Sequence, residues 1–122
     1  MPSTNKDIAE LNDFGVAADR TDHLDDYTVN FVSIRETHSL ADALAALPNG
    51  QCHCPHWGYV FNGRITLDYD GGTEEYRAGD AFYMPPGHVP SADAGTEFVQ
   101  FSPKLELEAT MTAIHAAMAQ RA

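Results

Sequence analysis

An all-β domain, a sandwich or small barrel, is the architecture this sequence predicts, and three observations carry the prediction. From Gly50 onward, turn signals recur about every eight residues, at Asn62-Gly63, Asp70-Gly71-Gly72, Ala78-Gly79-Asp80 and Pro85-Pro86-Gly87. The segments between them are short and rich in aromatic and β-branched residues. The chain has 122 residues, 43% hydrophobic and 20% charged, which suits one soluble domain with a single core.

Taken in order, residues 1–26 show no sustained hydrophobic period. They read as an irregular N-terminal arm with a short turn of helix around Asp7 to Leu11. Residues 27–35 alternate as a strand should, with Tyr27, Val29 and Phe31 on one face and Thr28, Asn30 and Val32 on the other. Residues 39–47 predict a short helix with Ser39 as N-cap and Asp42 at the reciprocal capping position. Leu40, Leu44 and Leu47 form its apolar stripe, and Pro48-Asn49-Gly50 ends it.

Strands are then expected at Trp57 to Phe61, Arg64 to Tyr69, Thr73 to Arg77, Ala81 to Met84 and Thr96 to Phe101, with Asn62-Gly63 as the strongest hairpin signal. Residues 104–121 are helical in pattern, with Leu107, Met111, Ile114 and Met118 at spacings of four and three. The expected organisation is an arm at 1–26, a β-domain at 27–103 and a C-terminal helix from 104 to 122 packed outside it.

The formal net charge of −11, with only 7 Lys and Arg, speaks against nucleic acid and anionic membrane as partners. No apolar run has the length of a membrane span. The polar N-terminus carries neither a secretory signal nor a transit peptide, so a reducing cytoplasm is the expected location.

The chemistry concentrates in Gly50 to Gly63. Both cysteines and two of the six histidines lie here: Cys52, His53, Cys54 and His56. In extended chain, Cys52, Cys54 and His56 share one face, while His53 and Trp57 share the other. Two cysteines one residue apart are poorly placed for a disulfide, whereas thiolate and imidazole on one face suit zinc, iron or copper. Hydrogen-bonded core histidines and buried thiols are the alternative for the same residues.

Gly50 to Gly63 and Gly79 to His88 together resemble the two motifs of the cupin superfamily. Gly79, five residues, then Pro85-Pro86-Gly87 is similar to the first part of the second motif, and the fifteen residues from Arg64 to Ala78 resemble the shortest spacing between the two. The resemblance implies an antiparallel jelly-roll barrel, with a short helix after the first strand and the C-terminal helix outside.

It does not carry over the usual set of three histidines and a glutamate. The position of the first histidine holds Gly50, that of the second Cys52, that of the glutamate His56 and that of the last histidine Pro90, with His88 two residues earlier. A site drawn from Cys52, Cys54, His56 and His88, with both cysteines or only one of them as ligands, is therefore the expectation, with zinc first and iron or copper as alternatives.

The Trp57 to Phe61 run is apolar on both faces, which leaves open which alternate set looks inward. His53, Trp57, Gly58, Val60, Phe82 and Met84 are the candidates to line a pocket for a small organic molecule. The same two-sided run, with the resemblance, implies a homodimer. Two functions fit: a metal-dependent enzyme acting on a small organic substrate, or a non-catalytic binding or sensor module whose metal is structural or absent.

Overall fold

The computed structural model of the chain describes residues 3–7, 9–45 and 47–121, without the side chains of 115 and 117–121. The fold is two antiparallel sheets closed around one core. The strands are β1 (Glu10–Asp13), β2 (Ala17–Leu24), β3 (Tyr27–Ile34), β4 (His38–Ser39), β5 (His56–Asn62), β6 (Arg64–Tyr69), β7 (Gly72–Arg77), β8 (Ala81–Met84), β9 (His88–Ala92) and β10 (Glu97–Pro103). The larger sheet has the order β1-β2-β3-β10-β5-β8, and the smaller β4-β9-β6-β7. Helix α1 spans Ala41–Leu44 and α2 spans Lys104–Arg121. No helix of the described residues is long and apolar enough to cross a membrane.

The N-terminal reading is corrected. Residues 10–24 are not an irregular arm but two strands that extend the larger sheet, and Leu11 lies in β1 rather than in a helical turn. The reason is visible in the side chains. Asn12 donates to Asp19 and Thr21, and Asn30 donates to Thr21, so this end of the sheet is joined by cross-strand polar contacts. Strands that face a polar network need no alternation of apolar residues, and that alternation was the only signal available.

The helix expected at 39–47 is shorter. One helical turn covers 41–44 and a 3₁₀ turn covers Pro48–Gly50. Leu40 holds the N-cap position, while the Ser39 hydroxyl accepts from the Ala41 amide one residue earlier than a cap would.

Two turn signals also change meaning. Asn62-Gly63 joins β5 to β6, which lie in different sheets, and 78–80 joins β7 to β8 in the same way. Both are corners between sheets rather than hairpins. Gly63 sits at φ +83° with Thr96 pressed against the place of its missing Cβ, so this corner admits only glycine without strain. Asp70-Gly71 is a true two-residue hairpin, with Tyr69 paired to Gly72. β9, not expected from sequence, follows Pro85-Pro86-Gly87 and pairs with β6 from Tyr69↔His88 to Ile65↔Ala92. Its Pro90 hides the strand, because proline lacks the amide a ladder uses.

The barrel core is Val60, Ile65, Leu67, Tyr76, Phe82 and Met84. A second cluster at one end joins Leu44 to Cys52 and Cys54, with Leu47, Val89, Leu107 and Ile114 packed on it. α2 therefore seats Leu107 and Ile114 over one end of the barrel, beside α1. The side chains of Met118 and His115 lie outside the described residues.

Candidate metal centre

Cys52 precedes β5 and is tied to the start of β9 by an isolated bridge to His88. The Cys52 amide donates to the His88 carbonyl at 2.8 Å, and the Gly87 and His88 amides donate back to the Cys52 carbonyl at 2.8 and 3.1 Å. This lock puts a cysteine and a histidine 36 positions apart side by side. His56 opens β5, and the alternation of that strand sends His56 and Val60 inward and Trp57, Tyr59 and Phe61 outward.

One donor atom from each of Cys52, His56 and His88 falls within 4.8 Å of the others, and all three residues are buried. The Cys52 Sγ to His56 Nε2 distance is 3.7 Å. Two donors of one tetrahedral zinc ion stand about 3.5 Å apart, given bond lengths of about 2.0–2.3 Å. The imidazoles meet edge to face with centroids 5.2 Å apart.

Each imidazole is held from behind. His88 Nδ1 hydrogen bonds to the Pro85 carbonyl oxygen. A carbonyl only accepts, so the proton sits on Nδ1 and Nε2 keeps a bare lone pair. That Nε2 is fully buried and has no hydrogen-bond partner, the single such side-chain atom among the described residues. His56 Nδ1 lies 2.7 Å from Ser102 Oγ. With the proton on Nδ1, its Nε2 presents a lone pair toward Cys52 Sγ.

Burial, helped by the neighbouring His88, drives the His56 pKa down to about 3. Burial also lowers that of His88, against the opposing effect of its bond to Pro85. Both rings are neutral at pH 7 and able to act as donors. Burial pushes the Cys52 thiol up, so without a cation beside it the sulfur keeps its proton.

A donor set of one sulfur and two imidazole nitrogens, with an orphaned buried nitrogen inside it, fits a borderline or soft divalent ion.

The expected fourth member, Cys54, is outside this group. It is buried against Leu44, its sulfur lies 3.5 Å from the Pro55 carbonyl, and burial pushes its thiol up to about 12. Two pocket candidates lie outside the barrel interior. His53 is exposed and holds the Pro48 carbonyl through Nε2 at 2.8 Å, and Trp57 is 42% exposed on the outer face. The strand alternates, so one of two successive residues must face away.

Val60, Phe82 and Met84 do face the interior but are packed into the core. The Phe82 ring lies across Gly58, where a Cβ would collide with it. Sequence reasoning missed Ser102 and the Pro85 carbonyl. Neither has a local signal, since Ser102 reaches His56 only through the pairing of β10 with β5.

No family model matches the sequence, and no curated protein matches it. Solved structures do. An RmlC-like cupin from Shewanella frigidimarina is 18% identical, with a TM-score of 0.58 over 82% of this chain and 88% of that one. A protein of unknown function from Rhizobium leguminosarum is 20% identical, with a TM-score of 0.61 over 84% and 94%. The polyketide cyclase RemF from Streptomyces resistomycificus is 16% identical, with a TM-score of 0.61 over 85% and 80%.

Proposed function

The chain has the cupin fold, and from that premise we propose that it is a small metal-binding cupin whose Cys52, His56 and His88 hold a transition-metal ion, zinc before iron or copper. The observation that carries this reading is the buried, partnerless Nε2 of His88 within reach of a thiol and a second imidazole. An unmade hydrogen bond in a buried site costs on the order of 1–3 kcal/mol, and a metal bond would remove that cost. Cys54 stands beside the site as packing rather than as a ligand.

In this reading the protein acts on a small organic molecule. An ion of this kind, when bound, polarises a carbonyl or activates a water. The chain's own part is to present three donors in fixed orientation. The Pro85 carbonyl sets the His88 proton on the far side, Ser102 holds the His56 ring through Nδ1, and the cluster around Leu44, Leu107 and Ile114 excludes water at the barrel end. The structural neighbour named as a polyketide cyclase supports an enzymatic reading by fold analogy alone. We read the working unit as a homodimer located in the cytoplasm.

One observation favours the second reading, a structural metal in a binding or sensor module. His88 has no solvent exposure at all, and Cys52 and His56 are each 6% exposed. Elemental analysis of protein purified without a histidine tag tests the metal, with about one equivalent expected. Cobalt substitution separates the two readings: a closed four-coordinate spectrum that ignores added azide means a structural ion, and a spectrum that shifts means an open position. Metal-free protein whose melting temperature no divalent ion raises would end both metal readings and leave a binding or sensor module without a metal.

A further inference from the structure

The outer face of the larger sheet carries six aromatic side chains, Tyr27, Trp57, Tyr59, Phe61, Tyr83 and Phe101, each between 37% and 56% exposed. The register makes them neighbours. Phe101 pairs with Trp57, and Trp57 pairs with Tyr83. The Trp57 and Tyr83 rings are 5.2 Å apart, and those of Tyr59 and Phe61 are 5.5 Å apart. Beside them a shallow apolar groove of about 370 Å³ runs between Leu24, Tyr27, Trp57 and Phe101.

Aromatic side chains present about 150–250 Å² each, so six at roughly half exposure leave on the order of 600 Å² of ring surface in water. The largest apolar patch on an ordinary monomer is about 300–600 Å². A stable protein interface covers about 800 Å² per partner. The aromatic patch thus supplies most of one such interface, and partly exposed Leu24, Phe31 and Val99 on the same face extend it.

Charge narrows the occupant. The rows through Trp57 and Tyr59 run from β10 to β8 without a charged residue; continued across β3 they reach Asp22 and Arg20 on β2, and Glu97 lies at the start of β10. With a net charge of −11, the chain repels anionic lipid and nucleic acid. An uncharged, aromatic centre can pack on its own copy, with Arg20 of each rim free to face Asp22 or Glu97 of the other.

We propose that this face is where a second copy of the chain docks, sheet against sheet through a two-fold axis near Trp57. The proposal rests on the homodimer reading above and names its surface. In such an isologous contact each patch meets its own copy, so the uncharged centres pack together and the rim charges of one copy face those of the other.

Trp57 is the single tryptophan in the chain, so its emission reports on this face alone. The test uses the full chain in sedimentation velocity and in a dilution series followed by fluorescence. A dimer is expected, with Trp57 emission shifting red in step with dissociation. Tyr59→Lys and Phe61→Lys are each expected to weaken the dimer by about thirtyfold or more, with circular dichroism and metal content unchanged. A dimer that survives both variants, or dissociates with no change in Trp57 emission, overturns this surface and leaves the homodimer reading standing. A monomer at every concentration overturns both. A monomer whose Trp57 emission shifts blue on adding zwitterionic phosphatidylcholine vesicles overturns them in favour of lipid.

Discussion

His56 and Ser102 are 46 positions apart in the chain, and His56 Nδ1 lies 2.7 Å from Ser102 Oγ in the fold. Ser102 is fully buried on β10, and His56 opens the neighbouring β5. Ser102→Ala leaves Nδ1 unpartnered in the core and releases the orientation of the ring. Zinc affinity is expected to fall by about ten- to a hundredfold, measured by competition with a chromogenic chelator. The metal-free protein should lose about 1–3 kcal/mol in denaturant unfolding. A stability loss with unchanged zinc affinity would restrict Ser102 to a structural role.

The two cysteines are expected to separate cleanly. Cys52→Ala or His56→Ala should remove most bound metal, because each deletes one of three donors within 4.8 Å. Cys54→Ala should keep metal near one equivalent and lower stability by about 1–3 kcal/mol, the ordinary range for emptying part of a packed site. Elemental analysis and thermal melts of the three variants decide it. Equal metal loss from Cys54→Ala would make Cys54 a ligand after all.

Stability of the metal-free protein should fall in acid. A histidine in an unfolded chain titrates near 6.5, whereas burial holds His56 at about 3. Above about pH 6.5 both states are neutral and the full stability is present. As pH falls below that, the unfolded chain takes up a proton that the folded site refuses, and the loss grows until pH approaches 3. At pH 5 the deficit is on the order of 2 kcal/mol for one such group, and the lowered His88 adds to it with the same sign. Urea midpoints at several pH values measure the slope. His56→Gln should flatten it.

Gly58 is the tightest point of β5. A Cβ there would collide with the Val99 carbonyl oxygen and the Phe82 ring. Phe82 is stacked on Tyr76 at 5.1 Å and edges Phe98 at 6.1 Å, so it has little freedom to withdraw. Gly58→Ala is expected to cost about 1–3 kcal/mol, or about 5 °C or more in melting temperature for a domain of this size. An unchanged melting curve would mean that the barrel interior yields more easily than its packing indicates.

Much of the β-architecture was legible locally. β3, β5, β6, β7, β8 and β10 have alternating or apolar residues between strong turn formers, and α2 has its stripe. β1 and β2 were not legible, because their side chains bond to polar neighbours rather than to an apolar core. β9 was hidden by Pro90. At the site, the two-residue period of extended chain put Cys52 and His56 on one face but left open whether that face looks inward, and the nearness of His88 agreed with the motif resemblance. Cys54 shares that face by period, yet the bend at Cys54 breaks the extended run, and its sulfur lies by the Pro55 carbonyl, out of the group.

By itself the sequence determined a β-rich domain and one segment dense in sulfur and imidazole, since side-chain type and period act between near neighbours. Only tertiary structure decided which sheet each strand joins, that Trp57 faces out and that Ser102 meets His56. Those facts depend on strand order and register between residues far apart in the chain, for which no local pattern exists. The same holds for the partnerless nitrogen of His88: a missing hydrogen bond is a property of what surrounds an atom, and that exists only once the chain is folded.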